Sequence, residues 1–146
     1  MPVGSNNSIR SRNLRAAKES EVLLWRALCD SGEDAKEYIE ADCSMINPLV
    51  HPSGENTPLH SKSEPSLMEA MDKLEPWSTY RMHKDPEPQI VEIDMMAVQI
   101  MYRVTVQRVD DAGRTKPYSV DALVTSTWRQ GAGGDWKLCG QMCVPE

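Results

Sequence analysis

From residue 96 to 109 apolar and polar side chains alternate almost without a break, and that run limits what the chain can become. Met96, Val98, Ile100, Tyr102, Val104 and Val106 share one face; Ala97, Gln99, Met101, Arg103, Thr105 and Gln107 share the other. A period of two over that length excludes a helix and predicts a long strand. "DDAG" (110–113) reads as a hairpin turn. A second run over 118–130 then places Tyr118, Val120, Ala122, Val124, Ser126 and Trp128 on one face. "GAGGD" turns the chain again, and 136–144 is the last strand. A short strand at 90–93 precedes this meander, joined to it by a tight connection at Asp94 and Met95. Both long strands carry apolar side chains on each face, so the pattern leaves open which face looks inward.

The first half of the chain has a different period. Over residues 13–31, Leu14, Ala17, Leu24, Trp25 and Leu28 fall on one arc at about 100° per residue, flanked by Val22 and Cys29. This predicts a helix, with Gly32 as its stop. Residues 1–12 are polar and without periodicity, a flexible tail ahead of a single domain over 13–146. A short helix is expected over 34–41, then a strand from Cys43 running into a loop at Val50. The stretch 51–65 is rich in Pro, Ser and Gly and reads as a mobile insertion or lid, with His51 and His60 as solvated loop residues. Ser66 and Glu69 form the S-x-x-E of a capping box. The helix it opens carries Leu67, Ala70, Met71 and Leu74 on one face, with Pro76 beyond it. Trp77, Tyr80 and Met82 lead into a strand, and "KDPEP" is a turn. Helices first and strands last is the α+β order. A curved antiparallel sheet wrapped around N-terminal helices would leave a funnel.

Charge and composition remove several classes of function. The net charge is −6, from 16 basic and 22 acidic residues, and Arg10, Arg12 and Arg15 form the only loose basic cluster. A nucleic-acid footprint needs a basic face, which this chain lacks. No run of about 18 apolar residues exists to span a membrane. The first residues lack the apolar core of a signal peptide, so the chain is expected to be cytoplasmic, with its four cysteines reduced. Cys139 and Cys143, four apart on a strand, would share a face about 13 Å apart, too far for one disulfide or one metal. With Cys29 and Cys43 they read as small buried hydrophobes, and neither a metal nor a cofactor is expected.

Three segments resemble a known family. "EVLLWRALCDSGEDAKEYIEADCSMINP" resembles the opening of SnoaL-like domains in the nuclear transport factor 2-like superfamily: an acidic residue, Leu24-Trp25, Ala27-Leu28, a Gly-Asp-like break, and a strand ending at Pro48. "AVQIMYRVTVQR" resembles that group's A-V-V-T-Y-R-V-T strand, with one residue extra. "ALVTSTWRQGAGGDWKLCGQMCVP" resembles its A-L-x-S-S-x-W-x-R-x-x-G-x-W-x-L-x-x-H-Q-Q-T-P ending. The similarity spans residues 18–145. It implies a cone-shaped α+β barrel with three helices in the mouth of a curved sheet. It also implies a homodimer made through the outer sheet face, here Gln99, Met101, Arg103, Thr105, Thr125 and Thr127. Where the family ending carries H-Q-Q-T, this chain has Gln141-Met142-Cys143-Val144, so the histidine is absent.

One residue breaks the helical pattern: Glu21 projects to the middle of the apolar arc. Either it sits at the edge of a groove or against an arginine, or it is a cavity-lining acid with a raised pKa. An enzyme of the resembled class would use Glu21 as base, Tyr80 and Tyr102 as hydroxyl donors, and Asn47 or Ser126 as orienting groups. Trp25, Met68, Met71, Trp77 and Met96 would supply the walls. The same tyrosines serve equally as core residues, and Asn47 as a turn cap. The first expectation is a homodimeric cone protein binding a small apolar or aromatic metabolite. The alternatives are a cofactor-free isomerase, dehydratase or cyclase acting on a polycyclic or polyketide-like compound, and an oligomerisation or adaptor module with a filled cone.

Overall fold

In the computed structural model, β4 (Ala97–Arg108) is the strand around which the sheet is organised. The structure describes residues 5–109 and 118–146, with side chains from Ile9 onward, so the expected turn at 110–113 lies outside the described residues. In chain order the other elements are α1 (Ser5–Leu28), α2 (Gly32–Ala35), a 3-10 turn (Lys36–Tyr38), β1 (Ile39–Ile46), α3 (Leu67–Asp72), β2 (Thr79–Met82), β3 (Gln89–Asp94), β5 (Tyr118–Gln130) and β6 (Trp136–Pro145). One edge of β4 pairs with β5; the other pairs with β2 near its C-terminal end and β3 near its start. The sheet runs β1-β6-β5-β4-β2, antiparallel except that β1 joins β6 in parallel.

The alternation resolves cleanly into faces. Val98, Ile100, Tyr102, Val104 and Val106 of β4 are buried, as are Ala122, Val124, Ser126 and Trp128 of β5. This inner face packs on α1, whose buried positions Asn13, Ala17, Ser20, Glu21, Leu24, Trp25 and Leu28 recur at helical spacing. Met96 is the exception to the strand pattern. It lies ahead of β4, in the turn where its N–H donates to Asp94 Oδ1 (2.7 Å), and it is 43% exposed.

Several boundaries differ from the sequence expectation. The first helix begins at Ser5, well before residue 13. Residues 10–12 are exposed, so no apolar period could report this turn. Asn13 fastens the helix to the sheet, its Nδ2 donating to Glu92 Oε2 (3.1 Å) and Met95 O (3.0 Å). At its other end, Trp77 N–H donates to Leu28 O (3.1 Å). Gly32 is required for proximity rather than as a left-handed cap. A Cβ there would lie 1.8 Å from Met71 O, so only glycine lets α2 approach α3 this closely. The capping box on α3 is present as expected.

The stretch 51–65 is held down. Leu59 is buried and exchanges two backbone hydrogen bonds with Met45 of β1, at 2.9 and 2.7 Å. His51, expected to be solvated, is 8% exposed; its Nδ1 accepts from Ser53 N–H (3.0 Å) and its Nε2 bonds Thr57 Oγ1 (2.9 Å). A bulge corrects the reading of the two C-terminal thiols. Thr127 faces Gly140 while Trp128 faces Leu138, which leaves Cys139 unopposed and reverses the parity beyond it. Cys139 is half-buried, with Sγ against Thr127 O (3.4 Å), whereas Cys143 is buried. Burial pushes the Cys143 and Cys43 thiols up to about 12, the setting of unreactive core residues.

Candidate functional site

Glu21 lies at the centre of the interior and is fully buried. The helical period aims it at the sheet, where three side chains donate to it. Tyr102 Oη and Ser126 Oγ (2.7 Å) both donate to Oε1, and Trp128 Nε1 donates to Oε2 (2.7 Å). A second layer supplies these donors. Trp25 Nε1 donates to Tyr102 Oη (2.6 Å), and Gln141 Nε2 donates to Ser126 Oγ (3.0 Å). Asn47 Nδ2 donates to Gln141 Oε1 (2.7 Å), and Leu49 N–H closes the chain on Asn47 Oδ1 (2.9 Å). Every donor in this network points toward Glu21, and none is a lysine or arginine.

That arrangement sets the electrostatics. Burial pushes the Glu21 carboxyl above its ordinary value, and the bonds from Tyr102, Ser126 and Trp128 oppose the shift without cancelling it. Burial, with Glu21 alongside, holds the Tyr102 hydroxyl well above its ordinary value, so the phenol keeps its proton. A carboxyl with a raised pKa next to a proton-holding tyrosine is acid–base equipment in principle. A base must also reach a substrate. Glu21, Trp25, Tyr102 and Ser126 are all at most 6% exposed. None of the four lines any of four cavities on the chain, of about 550, 260, 340 and 340 Å³.

The other expected site residues disperse. Tyr80 does not bond Glu21; it is half-buried and stacks on Trp25, with ring centroids 6.2 Å apart. Asn47 both caps its turn and belongs to the network. Met71 is buried in the core and Met68 packs half-buried against it, while Met96 is exposed and outside the interior. Trp77 is buried, donates Nε1 to Leu49 O (3.0 Å), and lines the 260 Å³ cavity at the end of β4. Trp128 and Gln141 are the partners the sequence reading missed. Trp128 was within reach, two residues beyond Ser126 on the same face. Gln141, in the position of the family's histidine, required knowledge of the bulge. Among the described residues no three His, Cys, Asp or Glu side chains gather as metal ligands, and no helix is long and apolar enough to cross a membrane.

A single helix laid across a strongly bent sheet, with its polar network sealed between them, defines a cone-shaped α+β protein. Solved structures carry this class to a particular fold. A candidate scytalone dehydratase from Novosphingobium aromaticivorans superposes with a TM-score of 0.76 at 11% identity, over 96% of this chain and 88% of that one. The CaMKII hub of S. rosetta superposes with a TM-score of 0.67 at 16% identity, over the whole of both chains. An NTF2-like protein of unknown function from Rhodospirillum rubrum gives 0.65 at 15% identity, over 88% and 97%. No family model and no curated protein matches the sequence. The chain has the nuclear transport factor 2-like fold, as the three sequence segments implied.

Proposed function

We propose that this chain is an assembly module that associates with copies of itself through the outer face of its sheet, its cone being filled by its own side chains. The observation that carries this reading is a row of large apolar side chains on the face opposite the core. Met101, Leu123, Met142 and Val144 are 41%, 48%, 50% and 52% exposed. The register brings them together: Met101 pairs with Thr125 and Thr125 with Met142, while on the neighbouring rung Arg103 pairs with Leu123 and Leu123 with Val144. A contiguous apolar patch of this kind is characteristic of a protein–protein contact. The fold is shared with a kinase hub domain as well as with a candidate dehydratase, so fold alone does not choose between assembly and chemistry. The enclosure of Glu21 favours assembly. Light scattering after gel filtration tests the reading: the wild type elutes as an oligomer, and Leu123→Lys or Met142→Lys weakens association by about thirtyfold. A wild-type monomer at every concentration would rule it out.

One observation favours a second reading, a cone-bound metabolite or cofactor-free isomerase, dehydratase or cyclase chemistry. It is the Glu21–Tyr102 pair, a carboxyl of raised pKa beside a phenol. That reading requires the interior to open to a ligand.

A further inference from the structure

We propose that the cavity at the C-terminal end of β4 is a binding site for a small organic carboxylate, with Arg108 as its principal anchor. The cavity, of about 260 Å³, lies between the 48–54 segment, the end of α3 and the last residue of β4. His51, Lys73, Glu75, Trp77, Arg108 and Tyr118 contribute to its lining.

Arg108 is held in place yet incompletely used. Its guanidinium carbon lies 3.9 Å from the centroid of the Trp77 ring, and Nη2 donates to Glu75 O (2.6 Å). These contacts fix the plane of the fork. Nη1 is 3.9 Å from Glu75 Oε2, a loose pair with a carboxylate that is 69% exposed. Nε is buried and has no hydrogen-bond partner. Buried donors on a charged group rarely lack an acceptor, because solvation by water has been given up with nothing in its place. Nε has no surface open to the cavity and Nη2 is taken by Glu75 O, so a ligand carboxylate pairs with the guanidinium through Nη1, whose contact to Glu75 Oε2 is loose.

The surroundings select the charge and size of the ligand. Lys73 is exposed on the cavity wall and has no ion pair among the described residues. Among the described lining residues Arg108 and Lys73 accompany one acid, Glu75, so the site suits a single negative charge better than a phosphate dianion. The volume is at the lower limit for ligand sites, room for a molecule between acetate and benzoate in size. His51 contributes shape only, since both its ring nitrogens are already engaged. The site is separate from Glu21: Arg108 is six residues along β4 from Tyr102, about 20 Å at the rise of a strand.

Titration of the full chain with benzoate, and with benzamide as its neutral counterpart, tests the proposal through the Trp77 indole resonance. Benzoate binds saturably and benzamide does not. Arg108→Gln weakens benzoate about tenfold, Lys73→Gln about threefold, and Glu75→Gln tightens it. Failure of benzoate to saturate, or equal binding of benzamide, overturns the proposal. So does wild-type affinity in Lys73→Gln and Arg108→Gln. Lys73 is exposed, so its variant decides the matter even where Arg108→Gln fails to fold.

Discussion

Glu21, on α1, and Arg108, at the end of β4, are ionisable side chains finished to different degrees: the first is fully buried, the second 18% exposed. Glu21 has no counter-charge, but three donors fill its oxygens and a second layer holds those donors. Arg108 has a partner for Nη2, a loose pair for Nη1 and nothing for Nε. Glu21 borders none of the described cavities, whereas Arg108 borders one. A polar group completed by its own protein belongs to the fold; one left short beside open space is where a ligand would add most. On that contrast we propose the less conspicuous arginine for binding, ahead of the residue that looks most like a catalytic base.

The largest test of the contrast is Glu21→Leu. It leaves Trp128 Nε1, Tyr102 Oη and Ser126 Oγ buried without their acceptor. The loss is about 4 kcal/mol in urea unfolding, from desolvated donors that nothing replaces. Tyr102→Phe removes one donor to Glu21 and the acceptor of Trp25 Nε1, and costs about 2 kcal/mol in the same measurement. Arg108→Met costs only about 1 kcal/mol, because it removes one carbonyl bond and a ring contact while also deleting the unpartnered Nε. Equal losses for Glu21→Leu and Arg108→Met would break the comparison.

The smallest effect has a distinct pH signature. The folded pKa of Glu21 is raised, so its contribution to stability is fully present below the unfolded value and is lost as pH rises through the folded one. Glutamine can replace the carboxyl with all three contacts kept, two of them reversed in direction, so that the Tyr102 and Ser126 hydroxyl protons lose this acceptor. Its oxygen faces Trp128, which only donates, and its nitrogen donates to the hydroxyls of Tyr102 and Ser126, which can accept. Glu21→Gln therefore changes stability by under about 1 kcal/mol at low pH and removes the wild type's decline as pH rises above the unfolded glutamate value and through the raised folded one. Parallel pH profiles for the two proteins would show that Glu21 is not desolvated as described.

What the sequence displayed, and what it hid, follows the range of the interactions. The alternation of β4 and β5 is a local property, and both strands formed where the period placed them. Glu21 was visible because a carboxylate on an apolar helical arc is a local contradiction. The bulge at Cys139 was hidden, because it depends on how β6 pairs with β5 and leaves no mark in spacing; with it went the orientation of the two thiols and the inward turn of Gln141. The parallel pairing of β1 with β6 joins distant segments and was equally silent. The 51–65 stretch is tied to β1 at Leu59, a contact between distant segments that its prolines and serines do not announce.

Hydrogen exchange at the indole N–H of Trp128 and Trp25 tests the claim that the cone is closed around Glu21. The protons bonded to Glu21 and Tyr102 should exchange only through global unfolding, with a free energy equal to that from urea denaturation. Exchange markedly faster than global unfolding would mean that solvent reaches Glu21 in the folded protein, and would return the interior to the list of ligand sites.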